Sequence, residues 1–104
     1  MKLLTKEIID NFKKTGSQEN IKDPIVIAKF FNPTGNGHWW ATEYNETTKC
    51  FFGYAQLFYE HGMDEWGEFS LQELEKFKGQ FGLGIERDLH FTPKPINECD
   101  ITTL

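Results

Sequence analysis

His38-Trp39-Trp40-Ala41-Thr42-Glu43-Tyr44, then Asn45-Glu46-Thr47-Thr48, then Lys49 through Phe58 reads as two strands joined by a short polar turn. β-branched and aromatic residues dominate both runs, and a tight connection between them makes an antiparallel hairpin. Strict alternation places Trp40, Thr42 and Tyr44 on one face, with Trp39, Ala41 and Glu43 on the other. In the second run Phe52, Tyr54 and Phe58 oppose Phe51, Gly53 and Leu57. Both faces are rich in rings. One must be core; the other is either covered by further chain or left as an aromatic platform formed by Trp39 or Trp40 with Phe52 and Tyr54. Burial of both faces is the expected outcome, since no Lys/Arg groove accompanies the rings.

Outward from this hairpin the signals become local. Leu4, Ile8, Ile9 and Phe12 recur at helical spacing, with Thr5 at the N-cap, a Leu4/Ile9 staple and Gly16 just past the end. Ser17 to Asp23 reads as polar loop, and Pro24 to Phe31 as one strand running into a Gly-rich connection at residues 32–37. Ser70 and Glu73 make a capping box, with Phe69 and Leu74 as its staple. Leu71, Leu74 and Phe77 form one stripe of that helix, and Gly79 is the expected stop. Gly82-Leu83-Gly84 then leads into a fourth strand over Ile85–Phe91. The order α-β-β-β-α-β predicts an α+β fold: a small antiparallel sheet of about four strands with two helices on one side. Residues 1–95 form the single expected domain, and 96–104 a loose tail.

At 104 residues, 38% hydrophobic and 26% charged, the chain is ordinary for one globular domain. Its ten Phe supply enough ring area for a dense core. The net charge of −5 is localised. Glu60, Asp64, Glu65, Glu68, Glu73 and Glu75 fall between residues 50 and 75 without a Lys or Arg, while the flanking regions nearly balance. Such a segment repels phosphate and attracts a basic protein surface, so direct nucleic-acid binding is not expected. No membrane span is expected, and the opening residues turn polar too early for a secretory leader. Cys50 and Cys99 read as reduced thiols, which points to a cytoplasmic location.

Candidate chemistry is sparse. Arg87 lies on the apolar face of the fourth strand, where it needs a carboxylate partner; Glu43 is the candidate. A structural ion pair is the preferred reading, and a small enzyme or ligand site around Glu43, Glu86, Arg87 and Asp88 the alternative. His38, His61 and His90 lie far apart, and His61 with Asp64 and Glu65 reads as a solvated acidic loop. No catalytic signature, metal site or cofactor motif emerges.

Lys2-Leu3-Leu4-Thr5-Lys6-Glu7-Ile8, Ala28-Lys29-Phe30-Phe31-Asn32-Pro33, Trp40–Tyr44, Phe51-Phe52-Gly53, Gly67–Leu74 and above all Gly82–Pro95 resemble a family of unknown function, numbered 2958. The resemblance covers nearly the whole chain. It implies a habitat on bacterial plasmids, integrative elements and phages, and no activity. The chain departs most from the family between Phe58 and Trp66, within the acidic segment. The leading expectation is therefore a non-enzymatic accessory protein of a mobile genetic element, acting by protein–protein interaction through residues 60–75. Inhibition of a nucleic-acid-handling host defence protein is one concrete form. A single-stranded nucleic-acid binder using exposed rings is the rival.

Overall fold

The computed structural model describes residues 2–57 and 64–101. Helix α1 (Lys6–Thr15) begins where Thr5 Oγ1 accepts the Ile8 amide at 3.2 Å and ends on Gly16 at φ +70°. Among the described residues seven strands follow: β1 (Ile25–Val26), β2 (Ala28–Phe31), β3 (His38–Asn45), β4 (Cys50–Gln56), β5 (Glu65–Ser70), β6 (Glu86–Arg87) and β7 (Lys94–Pro95). Helix α2 (Leu71–Lys76) lies between β5 and β6. The main sheet is antiparallel in the order β5-β4-β3-β2-β6, and β1 with β7 makes a separate two-stranded ladder. The α+β class, two helices and antiparallel sheet agree with the sequence. Among the described residues no helix is long and apolar enough to cross a membrane.

Both helices cover one face of the main sheet. Leu3, Leu4 and Phe12 from the first helical region and Leu71 and Leu74 from α2 pack with Ala28, Phe30, Ala41 and Phe51. Phe51 is the hub, with ring centroids 5.1 Å from Phe30, 4.8 Å from Tyr44 and 5.3 Å from Phe69. Close ring packing of this kind contributes beyond area burial alone. Gly53 is required beneath it, because a Cβ there would lie 2.0 Å from the Trp40 carbonyl oxygen.

Several elements depart from the sequence reading. The strand expected over residues 24–31 is split at Ile27, whose amide donates to the Ala41 carbonyl at 2.8 Å. Val26 belongs to a second cluster with Trp40 and Ile96, whereas Ile27 and Ala28 join the helix-side core. One strand cannot serve both without a break. Between Ala41 and Glu43 the β3–β4 register shifts by one residue, a bulge that turns Tyr44 onto the same face as Ala41. Strict alternation had put them on opposite faces.

Helix α2 stops at Lys76, three residues before Gly79, and the next residue, Phe77, is extended. Gly79 instead permits a close approach: a Cβ there would meet Thr34 Oγ1 at 2.4 Å. The expected fourth strand pairs only at Glu86 and Arg87. Asp88 Oδ1 accepts the His90 amide at 3.0 Å and turns the chain, leaving Leu89 63% exposed. The acidic run contributes β5, a strand absent from the sequence reading. Within the tail expected to be loose over 96–104, Ile96 is buried and its amide donates to the Pro24 carbonyl at 2.8 Å, and Cys99 and Ile101 pack in the same cluster. The expected end of the third strand at Phe58, together with Glu60 and His61, lies outside the described residues.

Candidate functional site

Directly opposed residues in an antiparallel sheet share a face, so the register defines cross-strand rows. On the face away from the helices, one row runs Lys29, Trp40, Tyr54, Trp66 across β2 to β5. Lys29 Nζ sits 5.2 Å from the Trp40 ring centroid; Tyr54 lies 6.0 Å from Trp40 and 5.5 Å from Trp66. The next row is Glu43, Phe52, Glu68. Phe52 and Trp66 join the two rows by stacking at 6.1 Å and 20°.

Coverage of this face is uneven. At the Trp40 end, Val26 and Ile96 close over the ring, with Phe91, Cys99 and Ile101 packed beside them. Trp40 is 1% exposed there, whereas Phe52 and Trp66 remain 39% and 43% exposed. Beside Phe52 and Trp66 the surface forms an open groove of about 1040 Å³, lined also by Glu43, Glu46 and Glu68 and by Glu19, Ile21 and Lys22 of the loop after α1. An aromatic floor bracketed by carboxylates suits a cationic side chain, which gains both cation–π and ionic contact.

Gln18 fixes that loop. Its Nε2 donates to the carbonyls of Ile25 (2.8 Å) and Thr42 (2.9 Å), and its Oε1 accepts the Ile25 amide at 2.6 Å. The Gln18 amide donates to Glu43 Oε2 at 3.2 Å. Thr42 is the bulge residue, so Gln18 satisfies a carbonyl that the irregular ladder would otherwise strand. Nothing local in the sequence marks Gln18 among its polar neighbours.

Titratable groups follow the same division. Burial, with Lys29 nearby, lowers the pKa of His38 from 6.5. Its Nδ1 is buried without a hydrogen-bond partner among the described residues. Burial raises the Tyr54 phenol, and donation to Asp64 Oδ2 at 3.0 Å adds to the rise. Burial also raises Tyr44, with Glu46 and Glu75 contributing. Cys50 and Cys99 are free thiols, and burial is the main cause raising the Cys99 pKa.

The sequence-derived sites are only partly brought together. Of the aromatic platform, Phe52 is exposed, Tyr54 is half-buried, Trp40 is buried and Trp39 faces the helices. The expected Glu43–Arg87 pair is not formed. Glu43 lies beyond the bulge beside Gln18, while Arg87 sits opposite Phe30 and its Nη1 donates to the Lys2 carbonyl. Glu86 and Asp88 stay with Arg87 at the β6 edge, so the four do not converge on one site. The acids of residues 64–75 do not make one ridge. Asp64 and Glu68 lie on the groove side of β5, Glu65 on the helix side, and Glu73 and Glu75 on α2.

A family model described as "Protein of unknown function (DUF2958)" matches residues 3–98. The chain belongs to this family. The match takes in the helix-side cluster, Val26, Trp40 and Ile96 of the second cluster, the Gln18 loop and the groove residues, and ends at Glu98 in the segment that covers Trp40. Comparisons with curated proteins and with solved structures give no match.

Proposed function

We propose that this chain is a protein-binding module that presents Phe52 and Trp66, with Glu43 and Glu68 beside them, to a basic segment of a partner. The observation that carries this reading is the row Glu43, Phe52, Glu68: a ring 39% exposed between two carboxylates, next to Trp66, on the part of the face left open. Exposed aromatics beside like charges are a poor match for a phosphate backbone and a good one for lysine or arginine. The role extends to an accessory protein of a mobile genetic element that occupies the basic surface of a nucleic-acid-handling host defence protein. Support for that extension is the habitat on plasmids and phages that the family resemblance implies, together with this charge pattern.

The test is affinity capture at low salt with the wild type and with Trp66→Ala and Glu68→Lys, followed by mass spectrometry and direct titration of the captured protein. The expected partner is basic, is released as salt rises, and binds each variant at least about tenfold more weakly, as truncation of an anchor residue does. A partner indifferent to both substitutions and to salt overturns the reading. The stacked pair Phe52 and Trp66 also favours a single-stranded nucleic-acid binder. Retention of single-stranded DNA at physiological salt, lost in Trp66→Ala, would give that reading the site instead.

A further inference from the structure

We infer, resting on the proposed basic partner, that its segment binds as an added strand along the outer edge of β5. Among the described residues no strand pairs with that edge. The Leu71 amide donates to the Lys49 carbonyl at 3.0 Å, and the β4–β5 ladder continues in register from Ser70 to Glu65. Alternation in an antiparallel ladder therefore turns the amides of Phe69, Gly67 and Glu65 toward β4, and those of Trp66 and Glu68 outward. Free amides and carbonyls along a six-residue edge are a template for another strand.

Both sides of the edge are prepared for alternate side chains. On one side lies the groove with Trp66, Phe52 and Glu68. On the helix side a second cavity of about 340 Å³ opens beside Gly67, lined by Leu57, Phe69, Leu74 and Phe77. Gly67 leaves open space where a Cβ would stand. An incoming strand would thus place basic side chains over Trp66 and Glu68, and every second residue, bulky and apolar, toward the Gly67 cavity. Charge selects the occupant: Glu65 and Glu68 flank the edge on opposite faces and disfavour a second copy of this same acidic strand.

The probe is a short synthetic peptide alternating lysine and leucine, compared with a peptide of equal composition whose lysines and leucines are segregated. Two readouts are used: fluorescence anisotropy for affinity and amide hydrogen exchange for the backbone. The alternating peptide is expected to protect the Trp66 and Glu68 amides and to bind about tenfold more tightly than the segregated one, the scale of one or two main-chain hydrogen bonds. Glu68→Pro removes an outward amide without touching the β4 ladder, and is expected to bind about tenfold more weakly than Glu68→Gln, which loses only charge. The exchange measurement on the wild type needs no variant to fold.

Equal binding of both peptides without amide protection overturns strand addition and leaves the basic-partner reading standing. Failure of both peptides to bind overturns the two together. Protection of the same amides in concentrated protein alone, with a dimer by sedimentation, gives the edge to a second copy and overturns the inference.

Discussion

Trp40 and Trp66 stand in one cross-strand row on one face of one sheet, with Tyr54 between them. One is 1% exposed and the other 43%. Residue type and pairing do not separate them, since both are tryptophans paired in the same antiparallel sheet. What differs is the chain brought over them from elsewhere: β1 and the 94–101 segment close on Trp40, and nothing described closes on Trp66. The same side chain is core at one end of a row and presentable surface at the other.

Truncating each ring tests that contrast most strongly. Trp40→Ala is expected to cost about 3–5 kcal/mol, the range for large-to-small changes of a buried ring, measured by chemical denaturation. Trp66→Ala, in the same experiment, should cost less than about 1 kcal/mol, as for a surface position. Similar losses in the two variants would break the comparison.

Gln18→Ala comes next, at about 2 kcal/mol, because it leaves the Thr42 carbonyl and the Ile25 backbone groups without their partners. Gln18→Glu should be comparably damaging, since the two donated bonds need an amide and a carboxylate has no N–H. A smaller loss for Gln18→Glu than for Gln18→Ala would mean that packing, not hydrogen bonding, holds the loop.

Ser70→Ala, removing the cap on Glu73, is expected to cost about 1 kcal/mol. It acts on the helix side and should leave the Trp40 emission spectrum unchanged. The smallest effect is that of pH on His38. Its folded pKa lies below 6.5, so the unfolded chain binds more protons as pH falls past that value. Stability from this group is fully present above 6.5 and is lost on acidification toward the folded pKa. His38→Gln should flatten that part of the wild-type stability profile, and an unchanged slope would count against the assignment.

Legibility in the sequence followed the range of the interaction that decided each feature. The caps at Thr5 and Ser70 are satisfied within three residues and were readable. The hairpin of β3 and β4 was readable for the same reason, through its short turn. By contrast, Glu65-Trp66-Gly67-Glu68 is poor in strand formers, and it becomes a strand because β4 offers an open edge. The Thr42 bulge is held by Gln18, 24 residues away, so alternation gave the wrong face for Tyr44. Of the candidate site, Phe52 and the acidic character of Glu68 were legible. Which tryptophan stays open was not, because the cover of Trp40 comes from both ends of the chain.

That cover has a consequence for how the molecule is made. Trp40 and its neighbour Val26 precede their cover in synthesis: Ile25 pairs with Pro95, and Ile96, Cys99 and Ile101 pack in the same cluster. The hairpin and α1 can organise while the later residues are still being polymerised; the indole of Trp40 meanwhile remains open to water and to chaperones. Synthesis of residues 94–101 therefore closes the Trp40 face, and a product cut short by a nonsense codon near residue 90 would carry an unsealed aromatic face. Chains that expose such a face are open to chaperones and proteases, so a chain lacking the β1–β7 seam is expected to be cleared faster than one that has it.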